Sequence, residues 1–337
     1  MKNSIQDKLH RPLHDVRISV IDRCNFRCPY CMPSNLDYKF LEKKDWLTFT
    51  DIERLVKLFV QLGAVKIRLT GGEPLLRPNL PDLIKKLSHI PEIEDLCLTT
   101  NGSHLIEHAK DLKKAGLKRL TVSLDTMDSR IFKVMSGEKG SLKKVLDGIK
   151  SAEKAGFDSM KINVVVQKGV NDQTILDIVK YFKNTKHSIR FIEYMDVGNC
   201  NHWQEEYVLP TEKIVAMINK FSPIETIEKS YFGEVATRYR FKDNSGEIGF
   251  VSSVSQPFCH SCTRLRLSTD GKLYTCLFSN EGTDIKTPLR LGASDTELLK
   301  LIHSTWERRQ DRYSETRKEK LLTTKTPQKI EMFQIGG

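Results

Sequence analysis

The chain has 337 residues, 39% of them apolar and 29% charged, with 54 Lys and Arg against 43 Asp and Glu for a formal net charge of +11. That composition supports a sizeable core in one large or two smaller domains, and the positive excess suits nucleic acid, an anionic surface or an anionic small substrate. No apolar run approaches the ~18 residues of a membrane span, and Met1–Leu9 lacks an apolar signal segment, so no membrane and a cytoplasmic location are expected.

In chain order, apolar runs at 16–21, 65–70, 95–100, 119–125, 160–167 and 188–194 read as strands, separated by helical patterns. Thr50-Asp51-Ile52-Glu53 reads as a capping box opening a helix on Ile52, Leu55, Val56, Phe59 and Leu62, ended by Gly63. Leu142, Val145, Leu146, Ile149 and Ala152 repeat the pattern up to Gly156, and Ile175, Ile178, Val179 and Phe182 form another. Six successive β/α units predict a parallel sheet. After Tyr194 the rhythm changes to a loop at 196–210, a helix at 211–221 and a hairpin over 234–252 turning at Asp243-Asn244-Ser245-Gly246. A second hairpin follows, with strands 264–269 and 272–278 joined by Asp270-Gly271, then a helix near 295–310.

One side of several strands is polar: Arg17 and Ser19; Lys66, Arg68 and Thr70; Thr121, Ser123 and Asp125; Lys161 and Asn163; Arg190. A closed eight-stranded barrel fills its interior with branched apolar residues. Six units with a polar inner side predict an α/β fold of another kind, an incomplete, open TIM-like (β/α)6 barrel with a ligand-filled lumen and a C-terminal hairpin and helix extension. The alternative is a sheet whose polar side faces water. The expected division is a barrel over 1–233 and a C-terminal part over 234–337.

Eight cysteines without a secretory leader point to metal ligation more than to disulfides. Cys24-Asn25-Phe26-Arg27-Cys28-Pro29-Tyr30-Cys31 places three in one tight loop. Structural zinc and most iron–sulfur clusters take four protein ligands, so three leave one metal position open. This CxxxCxxC loop resembles the signature of the radical S-adenosylmethionine (SAM) superfamily. The resemblance implies that the three thiolates hold a 4Fe–4S cluster whose fourth iron is chelated by SAM. One electron would then cleave SAM to a 5′-deoxyadenosyl radical that abstracts hydrogen from a substrate.

A second set, Cys259, Cys262 and Cys276, again lacks an evident fourth cysteine. It reads as half a zinc site, with His260 as a conceivable fourth ligand, or as a second cluster with an open iron. Two clusters is the economical reading. Cys97, in an apolar strand, reads as core, and Cys200 lies outside both sets.

The second set continues as Cys262-Thr263-Arg264-Leu265-Arg266. With Asp22-Arg23-Cys24-Asn25, Leu69-Thr70-Gly71-Gly72-Glu73-Pro74, Thr99-Thr100-Asn101-Gly102, Ser123-Leu124-Asp125, Arg190-Phe191-Ile192-Glu193 and the terminal Gly336-Gly337, the chain resembles the MoaA family of GTP 3′,8-cyclases of molybdenum-cofactor biosynthesis. The resemblance implies a lyase with two 4Fe–4S clusters, on Cys24, Cys28 and Cys31 and on Cys259, Cys262 and Cys276. The second would bind the guanine of GTP at its open iron. Tyr30, Gly72, Ser123 and Met195 would line the SAM site. Arg17, Arg68, Thr99, Lys161, Arg264, Leu265 and Arg266 would contact GTP, with Lys66 and Arg190 close by, and the Gly336-Gly337 tail would reach back towards the substrate. Implied partners are flavodoxin or ferredoxin as electron donor, cyclic pyranopterin monophosphate synthase as the next enzyme, and a second copy in a homodimer. Independently of the resemblance, guanidinium and ammonium groups recurring on one strand face suit a triphosphate. Two competing readings are a peptide-modifying radical SAM enzyme and a basic zinc protein binding nucleic acid. No aromatic-interleaved basic run supports the latter.

Overall fold

The computed structural model describes residues 4–321 and 328–337. The strands are β1 (Asp15–Ser19), β2 (Lys66–Thr70), β3 (Asp95–Thr100), β4 (Arg119–Ser123), β5 (Lys161–Val166), β6 (Ser188–Glu193), β7 (Ile224–Ile227), β8 (Thr237–Phe241), β9 (Glu247–Val251), β10 (Arg264–Leu267), β11 (Lys272–Tyr274) and β12 (Thr283–Asp284). Among the described residues they form one open sheet in the order β12-β11-β10-β1-β2-β3-β4-β5-β6-β9-β8-β7. Strands β1 to β6 run parallel, each beside the next, as in an incomplete barrel.

The hairpins do not form an appendage on one side. Strand β9 adds in parallel to β6, and β10 adds in parallel to β1, so each hairpin extends a different edge of the barrel wall. An open barrel has two edges with unpaired backbone groups, and these strands satisfy both. The returning strand of the second hairpin ends at Tyr274, short of the expected 278, and Cys276 lies beyond it.

Strand alternation places Val16, Ile18, Ile67, Leu69, Leu96, Leu98, Leu120, Val122, Ile162 and Val164 in the outer core. Amphipathic helices such as Phe49–Gln61, Leu105–Lys114, Leu142–Lys154 and Ile175–Phe182 cover that side. The opposite side carries the polar residues and faces an internal cavity. The first of these helices starts earlier than expected. Thr48 is its N-cap and shares a capping box with Asp51, whereas Glu53 pairs with Lys57 and Lys86. Both Thr-x-x-acid frames fit the motif, and the lysines claim the second acid.

Gly71 and Gly72 follow β2 where two backbones meet. Gly72 N–H donates to the Ile21 carbonyl (2.7 Å) and Glu73 N–H to that of Arg23 (2.8 Å). A Cβ on Gly72 would lie 2.2 Å from the Arg23 carbonyl oxygen, a backbone atom that has no easy way to yield. Gly72→Ala is expected to force the Arg23–Cys24 backbone away and destabilise the chain by roughly 1–3 kcal/mol, the usual overpacking range. An unchanged denaturant midpoint would show that the loop yields freely.

Candidate functional site

The cavity has a volume of about 300 Å³ and is lined by both cysteine sets. In the loop after β1, the N–H groups of Cys31 and Met32 donate to the Cys28 carbonyl (3.0 and 2.9 Å), which turns the three thiols inward. Phe26 N–H and the Asn101 amide donate to Cys24 Sγ at 3.4 and 3.9 Å. Glu73 sits behind them, accepting from Leu75 N–H, the Thr100 hydroxyl and Asn101 N–H. Its burial pushes its carboxyl up to about 7 against the pull of those bonds.

Burial pushes Cys24 up to about 12, with nearby Glu73 adding to it. Cys28 and Cys31 are also raised, chiefly by burial and then by neighbouring cysteines. Thiols so crowded away from water become thiolates together only beside a strong positive centre. Three thiols from one tight loop, all opening onto the cavity, suit the several irons of a cluster. The donor set therefore fits an iron–sulfur group.

The second set flanks a short turn, Cys259–Ser261, with Cys276 arriving after β11. Burial would raise Cys262, but Arg264 and Arg309 outweigh it and bring the thiol down to about 6. Burial carries Cys276 up to about 11. Cys97 and Cys200 belong to neither set: the Cys97 thiol donates to the Ile67 carbonyl (3.6 Å), and that of Cys200 to Glu331 (3.2 Å).

Between the sets lies a cationic band. The register aligns Arg266, Arg17 and Arg68 across β10, β1 and β2. Burial holds Arg17 well below the usual guanidinium range, with Arg266, Arg264 and Arg68 adding repulsion. Arg266 falls to about 9 and Arg190 to about 10, again led by burial. Arg68 is oriented by the Thr99 and Thr121 hydroxyls at 2.9 and 3.0 Å, and Lys66 donates to Tyr231 at 2.6 Å. Crowded, desolvated like charges of this kind are stabilised by a bound polyanion.

Tyr30, Gly72, Ser123, Met195, Arg17, Lys66, Arg68, Thr99, Arg190, Arg264 and Arg266 all line the cavity. Lys161 is not part of the lining, yet burial and then Arg190, Arg119, Lys66 and Arg68 depress it to about 6, which places it beside the band. Leu265 corrects an expectation: it is fully buried in the outer core, so its side chain points away from the cavity. A strand turns alternate residues to opposite faces, and its two arginine neighbours already occupy the inner one.

Glu73, Asp125, Asn101, Tyr231 and Arg309 also line the cavity, although the sequence reading gave none of them a site role. Asp125 accepts from the Tyr30 hydroxyl and Val165 N–H, both at 2.8 Å. Glu73 and Asp125 stand inside quoted motifs and were legible there, whereas Arg309 lies in an ordinary charged helix end.

The chain terminus enters the cavity. A short helix, Met332–Ile335, packs beside β1, Arg266 donates to the Gly336 carbonyl, and Gly337 joins the lining. A latch precedes it: Lys329 Nζ donates to Asp196 Oδ2 (2.8 Å), and Glu331 accepts from Asn199 N–H (3.0 Å).

Residues 18–182 match the Radical SAM superfamily model, and 187–315 match Molybdenum Cofactor Synthesis C. A GTP 3′,8-cyclase from Xanthomonas axonopodis pv. citri (strain 306) is 48% identical over 340 residues, covering 100% of both chains. One from Staphylococcus epidermidis (strain ATCC 35984) is 47% identical over 341 residues, again covering 100% of both. Among solved structures, Streptococcus suis SuiB bound to precursor peptide SuiA matches with a TM-score of 0.58 at 17% identity. That match covers 89% of this chain and 66% of SuiB, just under two thirds of its length, and it supports the open-barrel fold alone. Full-length identity near one half, with both family models matched in order, settles the assignment: the chain belongs to the GTP 3′,8-cyclase family, built on the radical SAM fold.

Proposed function

We infer that this protein is a radical SAM lyase that converts GTP to (8S)-3′,8-cyclo-7,8-dihydro-GTP, the first step of molybdenum-cofactor biosynthesis. One observation carries the reading: two three-cysteine sets open onto a single cavity with a buried arginine row between them. Cys24, Cys28 and Cys31 would hold the cluster that works with SAM, and Cys259, Cys262 and Cys276 a second 4Fe–4S cluster facing guanine. When bound, the first cluster and SAM would supply the one-electron chemistry that removes hydrogen from ribose C3′, and the electron and proton that complete the 7,8-dihydro product would come from the reductant and solvent.

The chain's own residues bind and orient. Tyr30, Gly72, Ser123 and Met195 would cradle SAM, with Asp125 holding the Tyr30 hydroxyl. Arg17, Arg68, Arg264 and Arg266 would meet GTP with Thr99, while Lys66, Lys161 and Arg190 neutralise phosphate. The barrel, about 1–233, would bind SAM and supply most of the band, and 234–337 would supply the second cluster's ligands together with Arg264 and Arg266, a division of labour within one sheet. No helix among the described residues is long and apolar enough to cross a membrane. A cytoplasmic location, flavodoxin or ferredoxin as reductant, cyclic pyranopterin monophosphate synthase downstream and a homodimer complete the proposal.

Anaerobically reconstituted protein given GTP, SAM and a reductant is expected to form 3′,8-cyclo-GTP and 5′-deoxyadenosine together. Deoxyadenosine formed alike with and without GTP, and no cyclic nucleotide, would sink the reading.

The band yields a second expected result. Arg17→Ala, Lys161→Ala or Arg266→Ala should each weaken GTP binding by roughly 1–3 kcal/mol, the cost of losing a charge-assisted contact. Lys161, depressed to about 6, is mostly neutral in the free enzyme at neutral pH. A nearby triphosphate favours its charged form, so binding takes up a proton and affinity falls as pH rises above about 6. Calorimetry at about pH 8 in buffers of different ionisation enthalpy should show that uptake, and Lys161→Met should remove most of it. Equal heats in all buffers would refute it.

A further inference from the structure

The second cysteine set is braced from two parts of the chain that lie far from it in sequence. Asp7, in the segment ahead of β1, accepts at Oδ2 from Arg11 Nε (2.6 Å) and from Arg309 Nη1 (3.3 Å). Asp7, Arg11 and Arg309 are all at most 5% exposed. Arg11 Nη1 also donates to the Cys259 carbonyl (2.7 Å), and Arg309 Nη1 to the Cys262 carbonyl (2.6 Å). Arg309 Nη2 reaches the sulfur of Cys262 itself at 3.1 Å, and the Trp306 ring stacks against its guanidinium, 4.6 Å from the ring centroid. Among the described residues two more buried atoms, Arg11 Nη2 and Arg309 Nε, have no hydrogen-bond partner, though Arg309 Nε lies 3.6 Å from Asp311 Oδ2 in an ion pair.

These contacts exceed what fastening the N-terminal segment requires. Asp7 alone would hold Arg11 to its own loop through the ring it closes with Leu9 and Arg11 N–H groups. Arg264 also donates to that sulfur, from Nε and Nη2 at 3.3 and 3.2 Å, so Cys262 meets two guanidinium groups; a fold brace does not need a buried arginine to spend a further donor on a thiol sulfur, a weak acceptor. A donor aimed at a ligating sulfur withdraws electron density from it and favours the more negative, reduced form of the attached group, as does the positive charge itself.

We propose that Arg309, fixed by Asp7 and cross-braced to Arg11, is a positioning residue that orients Cys262 and raises the reduction potential of the group on the second cysteine set. The assignment rests on the two-cluster reading above. It makes the second centre easier to reduce than its cysteines alone would, while the first set, which receives its donors from Phe26 N–H and the Asn101 amide, has no arginine donating to sulfur among the described residues.

The test is potentiometric titration of the reconstituted full chain followed by electron paramagnetic resonance, in wild type, Arg309→Met and Arg309→Lys. The second set's signal is identified in a chain carrying Cys24→Ala, Cys28→Ala and Cys31→Ala. In Arg309→Met the second centre is expected to become harder to reduce by at least tenfold in its equilibrium constant, about 59 mV for one electron. Arg309→Lys, which keeps the charge and loses the fork, is expected to shift it less, and the first centre stays unmoved in both. A second-centre potential equal to wild type in whichever variant keeps its iron overturns the assignment, because a purely structural brace would leave the potential in place. Wild-type protein with about four irons per chain instead of about eight would overturn the two-cluster reading instead.

Discussion

Replacing Cys24, Cys28 or Cys31 by Ala is expected to abolish SAM cleavage, whereas replacing Cys259, Cys262 or Cys276 should spare it and abolish cyclisation. The two sets share a cavity but differ in surroundings. The first sits against the Gly72–Glu73 turn and Asn101 in the barrel loops, within reach of Tyr30 and Ser123. The second lies beside Arg264 and Arg309, on strands added to the barrel edge. On the proposed two-cluster reading, loss of one ligand from a three-thiol set would leave its cluster unsupported, so each change is expected to act as an all-or-none loss at its own end. Product analysis by mass spectrometry, with iron and sulfide counted per chain, reads both effects. Cyclic nucleotide formed at wild-type rate without the second set would show that it has no part in placing GTP.

Removing Gly336 and Gly337 is expected to leave iron content, folding and GTP affinity nearly unchanged while cyclisation falls about 10²-fold or more, the scale of a small misplacement at a reacting centre. Chain ends usually fray. This one is held upstream by Lys329 on Asp196 and by Glu331 on Asn199, and its Gly336 carbonyl accepts from Arg266 at one end of the arginine row. Gly336 has φ +73°, and a Cβ there would come within 1.8 Å of Thr70 Oγ1. Gly336→Ala should therefore reproduce most of the deletion's effect. SAM should still be cleaved in both variants, uncoupled from product, because the residues proposed to hold it, Tyr30 and Ser123 among them, are untouched. Full cyclase activity after truncation would mark the terminus as an ordinary loose end.

Much of the site was legible because it is local. Three cysteines in eight residues fold into one loop whatever surrounds them, and the Gly-Gly-Glu-Pro turn carries its own geometry. The open barrel was legible because strand periodicity survives in sequence: apolar residues on one parity and Arg17, Arg68 and Lys161 on the other require a polar interior.

Other features depend on which segments meet, and no local pattern encodes that. The two hairpins read alike in sequence, yet one closes the β6 edge and the other the β1 edge, since each edge needs a partner. Leu265 followed its arginine neighbours into the expected site until strand pleating turned it to the core. Arg309 and Asp7 stand 302 residues apart, and only the packing of the helix at Asp295–Glu307 against the N-terminal segment joins them at Cys262. The cysteine chemistry and the cationic strand faces were set by the sequence itself, through short spacings and a two-residue period. Their meeting in one cavity, with the chain terminus inside it, was decided by tertiary structure, because hydrogen-bonding edges and buried charges select partners by distance in space rather than along the chain.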